Sequence, residues 1–225
     1  MNNLILRSFG GLIFLLVVLG LLLFIPAGSL AYWQAWVFLA DFGVCVVLIT
    51  AYLMRNDQGL LERRVEAGPS AETDRTQQII QSVAGICFIL IFVLAGLDYR
   101  NHWSSVPQWL VILADGLVAL GLYVVFLVFR ENSYTSATVK VAAEQKVVST
   151  GPYAVVRHPM YAGAGVFVLV TPLALGSWFA LPAAVGLMIG IAFRLLAEEK
   201  TLARDLPGYT AYTQKVRYHL IPYVW

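Results

Sequence analysis

The residues best suited to chemistry lie in one short stretch, "GPYAVVRHPMYAG", at positions 151–163 of the 225-residue chain. The stretch combines a guanidinium, an imidazole and two phenols directly before an apolar run. Pro152 and Pro159 fix their own φ angles and disfavour helical backbone at the residues before them, Gly151 and His158. We therefore predict a stiff polar loop that can line a pocket with an apolar floor.

A second group of charges begins near the end of the last apolar segment, in "RLLAEEKTLARDLPGYTAYTQKV". Arg194 and Glu198 are four residues apart and share one face of a helix, and Glu199 lies about 100° round the same helix. Because charges are costly in lipid, these three side chains should face protein or water. The alternative interpretation is an ordinary helix exit, with an Arg–Glu pair in the headgroup region.

Composition indicates the class of protein that positions these residues. Hydrophobic residues make up 60% of the chain and charged residues 12%, whereas globular proteins carry about 25% charged residues. This balance is typical of a polytopic membrane protein. The net charge of +2 and the lack of a basic run argue against nucleic-acid binding. Cys45 and Cys87 lie in apolar segments without neighbouring ligands, so neither a disulfide framework nor a metal site is predicted.

The predicted fold is an all-α bundle of about six hydrophobic segments. They are Phe9–Ile25, Tyr32–Met54, Ile79–Leu97, Gln108–Phe129, Tyr161–Gly176 and Ala180–Ala197. A span needs about 20 residues, and the fifth segment would reach only about 24 Å as a helix. It is predicted to form a tight hairpin with the sixth, turning near Ser177 and Trp178, and whether this hairpin fully crosses the bilayer stays open. The first segment is interpreted as a retained span rather than a cleaved signal peptide.

Basic residues predict the orientation, because cytoplasmic loops collect lysine and arginine. With six spans, all of the 15 basic residues except Arg100 fall at the same side. We therefore expect an integral membrane protein with both termini in the cytoplasm. Interfacial aromatics are expected at the span ends, and the candidates are Trp33, Trp36, Trp103, Trp109 and Trp178.

Two longer connections lie on the predicted cytoplasmic side. Residues 55–78 contain the turn signal Gly68-Pro69-Ser70 and are interpreted as a solvated connector; a short amphipathic helix through Leu60, Leu61 and Val65 is the alternative. In residues 130–160, four valines predict a short extended segment or hairpin: Val139, Val141, Val147 and Val148. The sixth helix should run through Leu206, because Pro207-Gly208 is the first strong stop signal.

The two groups of functional residues together carry a family resemblance. In order, the motifs are Gly-Pro-Tyr, Arg-His-Pro-x-Tyr-x-Gly, Arg-x-x-x-Glu-Glu, Tyr-x-x-Tyr and a late Ile-Pro, over roughly residues 130–225. This pattern resembles the isoprenylcysteine carboxyl methyltransferases, which belong to a wider group that includes the phospholipid N-methyltransferases. The resemblance divides the chain into four N-terminal spans, 1–129, and a C-terminal catalytic region, 130–225, with cofactor-binding loops, hairpin and tail. The N-terminal part, including "YWQAWVFLADF" and "LLERR", looks more loosely like bacterial members, which implies a bacterial plasma membrane.

The resemblance implies S-adenosylmethionine as the cofactor and a lipophilic or small methyl acceptor bearing a thiol, carboxylate or amine. It places Arg194 and Glu198 nearest the methyl-transfer point. The residues that it implies for cofactor binding are Tyr153, Arg157, His158, Tyr161, Glu198 and Glu199. Carboxylates and aromatic faces suit the ammonium and sulfonium of such a cofactor. No side-chain nucleophile is required, because the acceptor itself attacks the methyl group.

One departure and two alternatives accompany this interpretation. The phospholipid methyltransferases carry Gly-x-Gly in the helix before the loop, whereas "VALGLYVV" has only Gly121, which weighs against phospholipid amine methylation. A membrane reductase of the sterol type, using NADPH, is the alternative enzyme. The non-enzymatic alternative is a transporter or structural membrane protein, although repeat symmetry and broken mid-membrane helices, the signs of a transporter, are not evident in the sequence.

The remaining polar residues receive weaker predictions. His102 and His219 stand alone in the sequence and are expected to have structural or surface roles. For the intramembrane Asp41 and Asp115, function and a polar contact with a neighbouring helix are equally supported. Three residues follow the fourth span, where an acceptor could enter: Asn132, Tyr134 and Ser136. Two tyrosines, Tyr209 and Tyr212, are expected to pack over a helix end.

Overall fold

The computed structural model describes residues 2–65, 75–135 and 145–225. Regular structure in these ranges is entirely helical, as predicted. The α-helices are α1 (Asn2–Ala27), α2 (Trp33–Asn56), α3 (Gln58–Val65), α4 (Arg75–Asn101), α5 (Gln108–Glu131), α6 (Pro159–Ala174), α7 (Leu181–Asp205) and α8 (Tyr209–Lys215). A short 3-10 helix, Gly151–Ala154, precedes α6.

Five helices are long and apolar enough to cross a membrane: α1, α2, α4, α5 and α7. They support an integral membrane protein. The fifth predicted segment is α6, which has only 16 residues and is shorter than a usual span, as its sequence predicted. The six helices match the six predicted segments, and α7 ends one residue before Leu206, close to the predicted stop.

The five long helices and α6 form a closed ring in which each helix contacts the next. The order round the ring is α1, α2, α5, α6, α7, α4 and back to α1. Their inward faces form one continuous core to which every one of them contributes. Representative buried side chains, taken helix by helix in that order, are Leu23, Phe38, Val118, Val168, Ala184 and Phe92. Because α1 supplies fully buried side chains to this core, it is an integral part of the bundle.

The helices α5 and α6 cross closely. A Cβ atom added to Gly121 would lie 2.7 Å from the carbonyl oxygen of Gly163, and one added to Gly163 would lie 2.7 Å from that of Gly121. Helices in membranes associate through close packing of small residues, since burial from water contributes little there. Gly121 therefore has a structural use in seating α6, the helix that follows the polar loop.

The two ends of the bundle differ. One end, here called the turn end, carries the short connections between helices, including the predicted hairpin turn after α6. There the hydroxyl of Ser177 donates a 2.5 Å hydrogen bond to the buried Asp98 carboxylate, and Gly176 adopts a left-handed φ of 73°. All five tryptophans expected at span ends lie partly exposed at this end.

The opposite end, here called the loop end, carries α3, the stretch around residues 151–158, α8 and the C-terminal tail. The connector interpretation of residues 55–78 is wrong for α3, because Leu60 and Leu61 are buried against Leu53 and Phe129. Hydrophobic burial fixes this helix to the bundle, as in the amphipathic alternative. The predicted turn at Gly68-Pro69-Ser70 lies outside the described residues.

In the described part of the loop, residues 145–149, the extended segment or hairpin predicted from four valines is not found. Residues 145–149 have irregular backbone, and Val147 packs against the cluster formed by Leu206, Tyr209 and Tyr212. Val139 and Val141 lie outside the described ranges, as does Ser136. The loop is therefore held at its C-terminal side by hydrophobic contacts with α8.

A polar contact with a neighbouring helix was one of the two roles considered for Asp41 and Asp115. The described residues do not provide such a contact. In the described residues, both carboxylate oxygens of Asp115 and Oδ2 of Asp41 are buried without a hydrogen-bond partner. The Sγ atom of Cys45, one turn further along α2, lies 3.9 Å from Oδ1 of Asp41. His102 is exposed at the turn end, as expected.

Candidate functional site

The polar stretch at residues 151–158 is a shaped loop, as its prolines predicted. Gly151 has a left-handed φ of 56°, and a Cβ atom there would lie 2.9 Å from the Glu131 carboxylate. The 3-10 helix begins at this glycine, and α6 begins at Pro159. The Thr150 hydroxyl donates a hydrogen bond to Glu131 at the end of α5. The loop is thus attached to α5 at its start and continues directly into α6 at its end.

The hydroxyl of Tyr161, in the first turn of α6, is the centre of one cluster. It donates a 2.6 Å hydrogen bond to Oε2 of Glu198 and accepts one from Nε of Arg194 at 3.2 Å. Arg194 and Glu198 share one face of α7, as their spacing predicted. Among the described contacts of Glu198, only this hydrogen bond from Tyr161 is found, and it leaves Oε1 open.

The neighbouring carboxylate of Glu199 is the centre of a second cluster. Its Oε1 atom lies 2.8 Å from NH1 of Arg157 and 3.2 Å from Nε2 of His158, and it accepts a 3.3 Å hydrogen bond from the hydroxyl of Tyr209. Its Oε2 atom lies 2.9 Å from Nε2 of His219. Both oxygens of Glu199 are therefore already bound by side chains of the protein itself.

The C-terminal tail is tied to the polar loop through Arg157. Its Nε and NH2 atoms donate hydrogen bonds to the carbonyls of Val216, at 2.9 Å, and Arg217, at 2.7 Å. The backbone N–H groups of residues 157 and 158 donate to the carbonyls of Tyr218 and His219. The guanidinium of Arg157 is thus committed to Glu199 and the tail.

Tyr153, in the 3-10 helix, connects the loop to α5 and α8. Its hydroxyl accepts a 3.0 Å hydrogen bond from Nδ2 of Asn132, and its carbonyl accepts one from the Tyr212 hydroxyl at 2.7 Å. Burial raises the pKa of the Tyr153 hydroxyl to about 12, although the hydrogen bond from Asn132 opposes the shift; the charge of Glu198 adds to it. Tyr153 therefore remains a neutral phenol at physiological pH.

The structure brings all seven predicted site residues to the loop end. The imidazole of His158 stacks on the Tyr161 ring, with 5.8 Å between ring centroids, and so connects the two glutamate clusters. Tyr209 and Tyr212 pack over the end of α7, as expected. His219, which stands alone in the sequence, contacts Glu199 and stacks on Trp225, in agreement with the structural role expected for it.

Three residues near Tyr161 and Tyr153 were missed or undervalued by sequence reasoning. Gln77 of α4 is buried, and its Oε1 atom accepts a 3.4 Å hydrogen bond from NH1 of Arg194. Arg64 of α3 approaches Met160, the residue before Tyr161. Asn132 was considered only as a weak candidate. No spacing rule could have found Gln77 or Arg64, because each meets residues about a hundred positions away.

A family comparison now bears on this geometry. Residues 109–206 match the family model for phospholipid methyltransferase. This segment is a little under half of the chain; it runs from the start of α5 through the end of α7 and contains all seven predicted site residues. No curated protein matches the chain.

The match supports the coarser part of the expected resemblance. The family whose model matches residues 109–206, phospholipid methyltransferase, lies within the wider group expected from the motifs. The match does not single out the isoprenylcysteine branch of that group. The matched segment holds both glutamates and the loop residues that contact them, whereas α3, Gln77, Tyr209 and His219 lie outside it.

Proposed function

We propose that the protein is an integral-membrane methyltransferase that uses S-adenosylmethionine and acts on a lipophilic or small acceptor. The observation that carries this proposal is the convergence of Arg194, Tyr161 and Glu198 at one point inside the domain that matches a methyltransferase family. The charge pattern favours a cytoplasmic position for this point, where a nucleotide-derived cofactor is available.

The chemistry of the donor and acceptor groups fits S-adenosylmethionine. This cofactor supplies an electrophilic methyl group on a sulfonium centre, together with amino, carboxylate and ribose hydroxyl groups. Glu198 can accept a hydrogen bond from an amino or hydroxyl group of the cofactor, because the described contacts leave its Oε1 atom open. The aromatic faces of Tyr161 and His158 are suited to a cationic group. The neutral phenol of Tyr153 adds a further polar group to the same loop.

Glu199, Arg157 and His158 serve the same site in a different way. Their polar atoms hold one another and the C-terminal tail, so they shape the wall of the cofactor site and fix its position. Such preorganisation matters for group transfer, because the protein has to hold donor and acceptor about 3–3.5 Å apart and exclude water. On this basis, Arg194 and Glu198 are the residues nearest to the reacting groups.

The acceptor is proposed to reach the site from the membrane side. The site lies at the end of an apolar bundle, directly above the core cluster around Phe129 and Met160. An isoprenylcysteine-like carboxylate, a thiol and an amine are all chemically able to accept a methyl group there. The apolar surroundings favour a lipophilic acceptor over a small soluble one and leave the identity of its nucleophilic atom to experiment.

A binding comparison tests the proposal directly. Purified protein in neutral detergent is incubated with radiolabelled S-adenosylmethionine or with radiolabelled NADPH, and retention is measured against the unlabelled competitor. We expect saturable binding of S-adenosylmethionine alone. Saturable binding of NADPH alone would instead support the sterol-reductase alternative, and binding of neither would favour a non-enzymatic membrane protein.

A second experiment identifies the acceptor. Membranes that contain the protein are incubated with methyl-labelled S-adenosylmethionine, and the label is followed into lipid-extractable, protein and water-soluble fractions. Membranes that contain the Glu198→Gln variant provide the background. Label that appears in the lipid-extractable fraction with the wild-type protein only is the expected result.

A further inference from the structure

Asn132, the residue that follows α5, has a side-chain amide whose orientation is fixed by its neighbours. Its Oδ1 atom accepts a 2.9 Å hydrogen bond from the backbone N–H of Tyr134. Because a backbone N–H can only donate, the amide atom that faces it must be the oxygen, and the rotated amide is excluded. The Nδ2 atom of Asn132 is therefore the atom that faces the phenol oxygen of Tyr153, at 3.0 Å.

This orientation decides how the Tyr153 hydroxyl can be used. An amide nitrogen can only donate, so the phenol oxygen accepts this hydrogen bond and its own proton has to point elsewhere. Among the described residues, the amide of Asn132 is the only hydrogen-bond partner of the phenol oxygen. Burial raises the pKa of the hydroxyl to about 12, so the proton stays in place. A largely desolvated O–H group without an acceptor is a hydrogen-bond donor prepared for a ligand.

The prepared donor lies near the open acceptor of Glu198. The two groups are close enough for the charge of Glu198 to act on the Tyr153 hydroxyl. The Oε2 atom of Glu198 is bound by Tyr161, and the described contacts leave its Oε1 atom open. A ligand group that satisfies both positions must carry a cationic N–H donor beside an anionic acceptor. The ammonium and carboxylate groups of an amino acid have this arrangement, because both are attached to the same carbon atom.

We propose that Asn132 is a positioning residue that directs the Tyr153 hydroxyl toward the carboxylate in the amino-acid group of S-adenosylmethionine, while Glu198 accepts from the neighbouring ammonium. This inference rests on the proposed function, since it concerns the cofactor of that same site. It assigns the amino-acid end of the cofactor to the place where the end of α5 meets the 3-10 helix. A donor that is oriented before the ligand arrives lowers the cost of ordering on binding.

The test compares two ligands that differ in the amino-acid group. S-adenosylhomocysteine carries this group, whereas methylthioadenosine keeps the adenosine and the sulfur but lacks it. Dissociation constants for both are measured by isothermal titration calorimetry on the full-length protein in neutral detergent. The variants are Tyr153→Phe, Asn132→Ser and the double variant. Asn56→Ser is the matched control, because the exposed Asn56 donates to a carbonyl of its own helix, α2.

We expect the wild-type protein to bind S-adenosylhomocysteine at least about tenfold more tightly than methylthioadenosine, in line with hydrogen bonds to charged groups. Tyr153→Phe should weaken binding of S-adenosylhomocysteine about tenfold and change that of methylthioadenosine less than about twofold. Asn132→Ser removes the amide donor, while a serine hydroxyl can still accept from the N–H two residues on. It should weaken S-adenosylhomocysteine about threefold, because the phenol is no longer oriented.

The double variant separates positioning from a general structural role. If Asn132 acts through the Tyr153 hydroxyl, Asn132→Ser should cause no further loss of S-adenosylhomocysteine binding in the Tyr153→Phe background. Asn56→Ser should bind both ligands as the wild type does. If Asn132→Ser does not yield monodisperse protein, Asn132→Asp decides. Its carboxylate would accept the phenol proton and so withdraw it from the ligand, with a loss of at least about tenfold for S-adenosylhomocysteine.

Three results would overturn the inference: equal affinity of the wild type for both ligands, an equal loss for both ligands in Tyr153→Phe, or a further loss on adding Asn132→Ser to Tyr153→Phe. Unchanged binding in the variant of Asn132 that decides would also overturn it. Binding of labelled S-adenosylmethionine to the wild type is measured in parallel. A wild-type protein that binds neither this cofactor nor S-adenosylhomocysteine would remove the proposed function itself, and the inference with it.

Discussion

Glu198 and Glu199 are adjacent in sequence, yet their surroundings differ in kind. Glu199 is enclosed by one guanidinium, two imidazoles and a phenol, all contributed by the protein. Glu198 receives a single hydrogen bond, from Tyr161, among the described residues. Because successive residues of a helix point about 100° apart, one carboxylate can hold the structure together while its neighbour stays open to a ligand.

The comparison teaches that a pair of equal charges need not share a role. A carboxylate with satisfied oxygens contributes to stability, and its removal leaves buried cations unpaired. A carboxylate with an open oxygen beside a bridging phenol contributes little to stability and is available for binding. Variants at each position separate these two contributions.

The largest effect on activity is expected at the open carboxylate. Glu198→Gln keeps the shape of the side chain and removes its charge, so methyl transfer should fall about 100-fold or more. The thermal unfolding midpoint should stay within about 2 °C of the wild type, since only one hydrogen bond is altered. Initial rates with labelled S-adenosylmethionine and unfolding scans measure the two quantities. Glu62→Gln, on the exposed side of α3, serves as the control.

The largest effect on stability is expected at the enclosed carboxylate. Glu199→Gln leaves Arg157 and the two histidines without their anion and should destabilise the protein by about 2 kcal/mol, which corresponds to about 6 °C. Looser positioning of the loop should raise KM for S-adenosylmethionine more than it lowers kcat. If Glu199→Gln retained full stability but lost all activity, the distinction between the two glutamates would be wrong.

Removing the bridging hydroxyl should have an intermediate effect. Tyr161→Phe preserves the ring stacked on His158 but breaks the hydrogen bonds to Glu198 and from Arg194, so kcat should fall about tenfold. The unfolding midpoint should change by only about 3 °C. Tyr212→Phe, whose lost hydroxyl contacts loop carbonyls instead, provides a comparison in which stability changes more than kcat. If Tyr161→Phe instead lowered stability more than kcat, Tyr161 would act mainly in folding.

The smallest effect is expected where the tail meets Glu199. His219→Gln removes one of the four groups around that carboxylate and should lower the unfolding midpoint by about 3 °C, as expected for the loss of about 1 kcal/mol. At saturating S-adenosylmethionine, kcat should be unchanged. A kcat loss comparable to that of Glu198→Gln would place His219 among the reacting groups rather than in the supporting cluster.

The features that could be predicted from the sequence are those set by residues close together in the chain. The six apolar segments, the stop at Pro207-Gly208 and the turn near Ser177 follow from hydrophobicity and from proline and glycine chemistry. The common face of Arg194 and Glu198 follows from helical periodicity, and both indeed meet Tyr161. These predictions depend only on residues close to one another in the chain.

The parts that could not be predicted depend on contacts between distant residues. His219 appeared isolated because its partner, Glu199, is twenty positions earlier and in another element. Gln77 and Arg64 reach Arg194 and Met160 across the bundle. The burial of α3 was underestimated because two leucines among charged residues are a weak signal until the surface that receives them is known.

The attachment of the polar loop to residues 216–219 has a consequence for biosynthesis. The guanidinium of Arg157 finds its carbonyl acceptors only in residues made about 60 positions later. During translation, the loop therefore emerges and α6 and α7 insert before the groups that lock it exist. The proposed site should therefore take its final form only after residues 216–219 have been made, and a nascent chain stalled before residue 216 should be inserted in the membrane but should not bind S-adenosylmethionine.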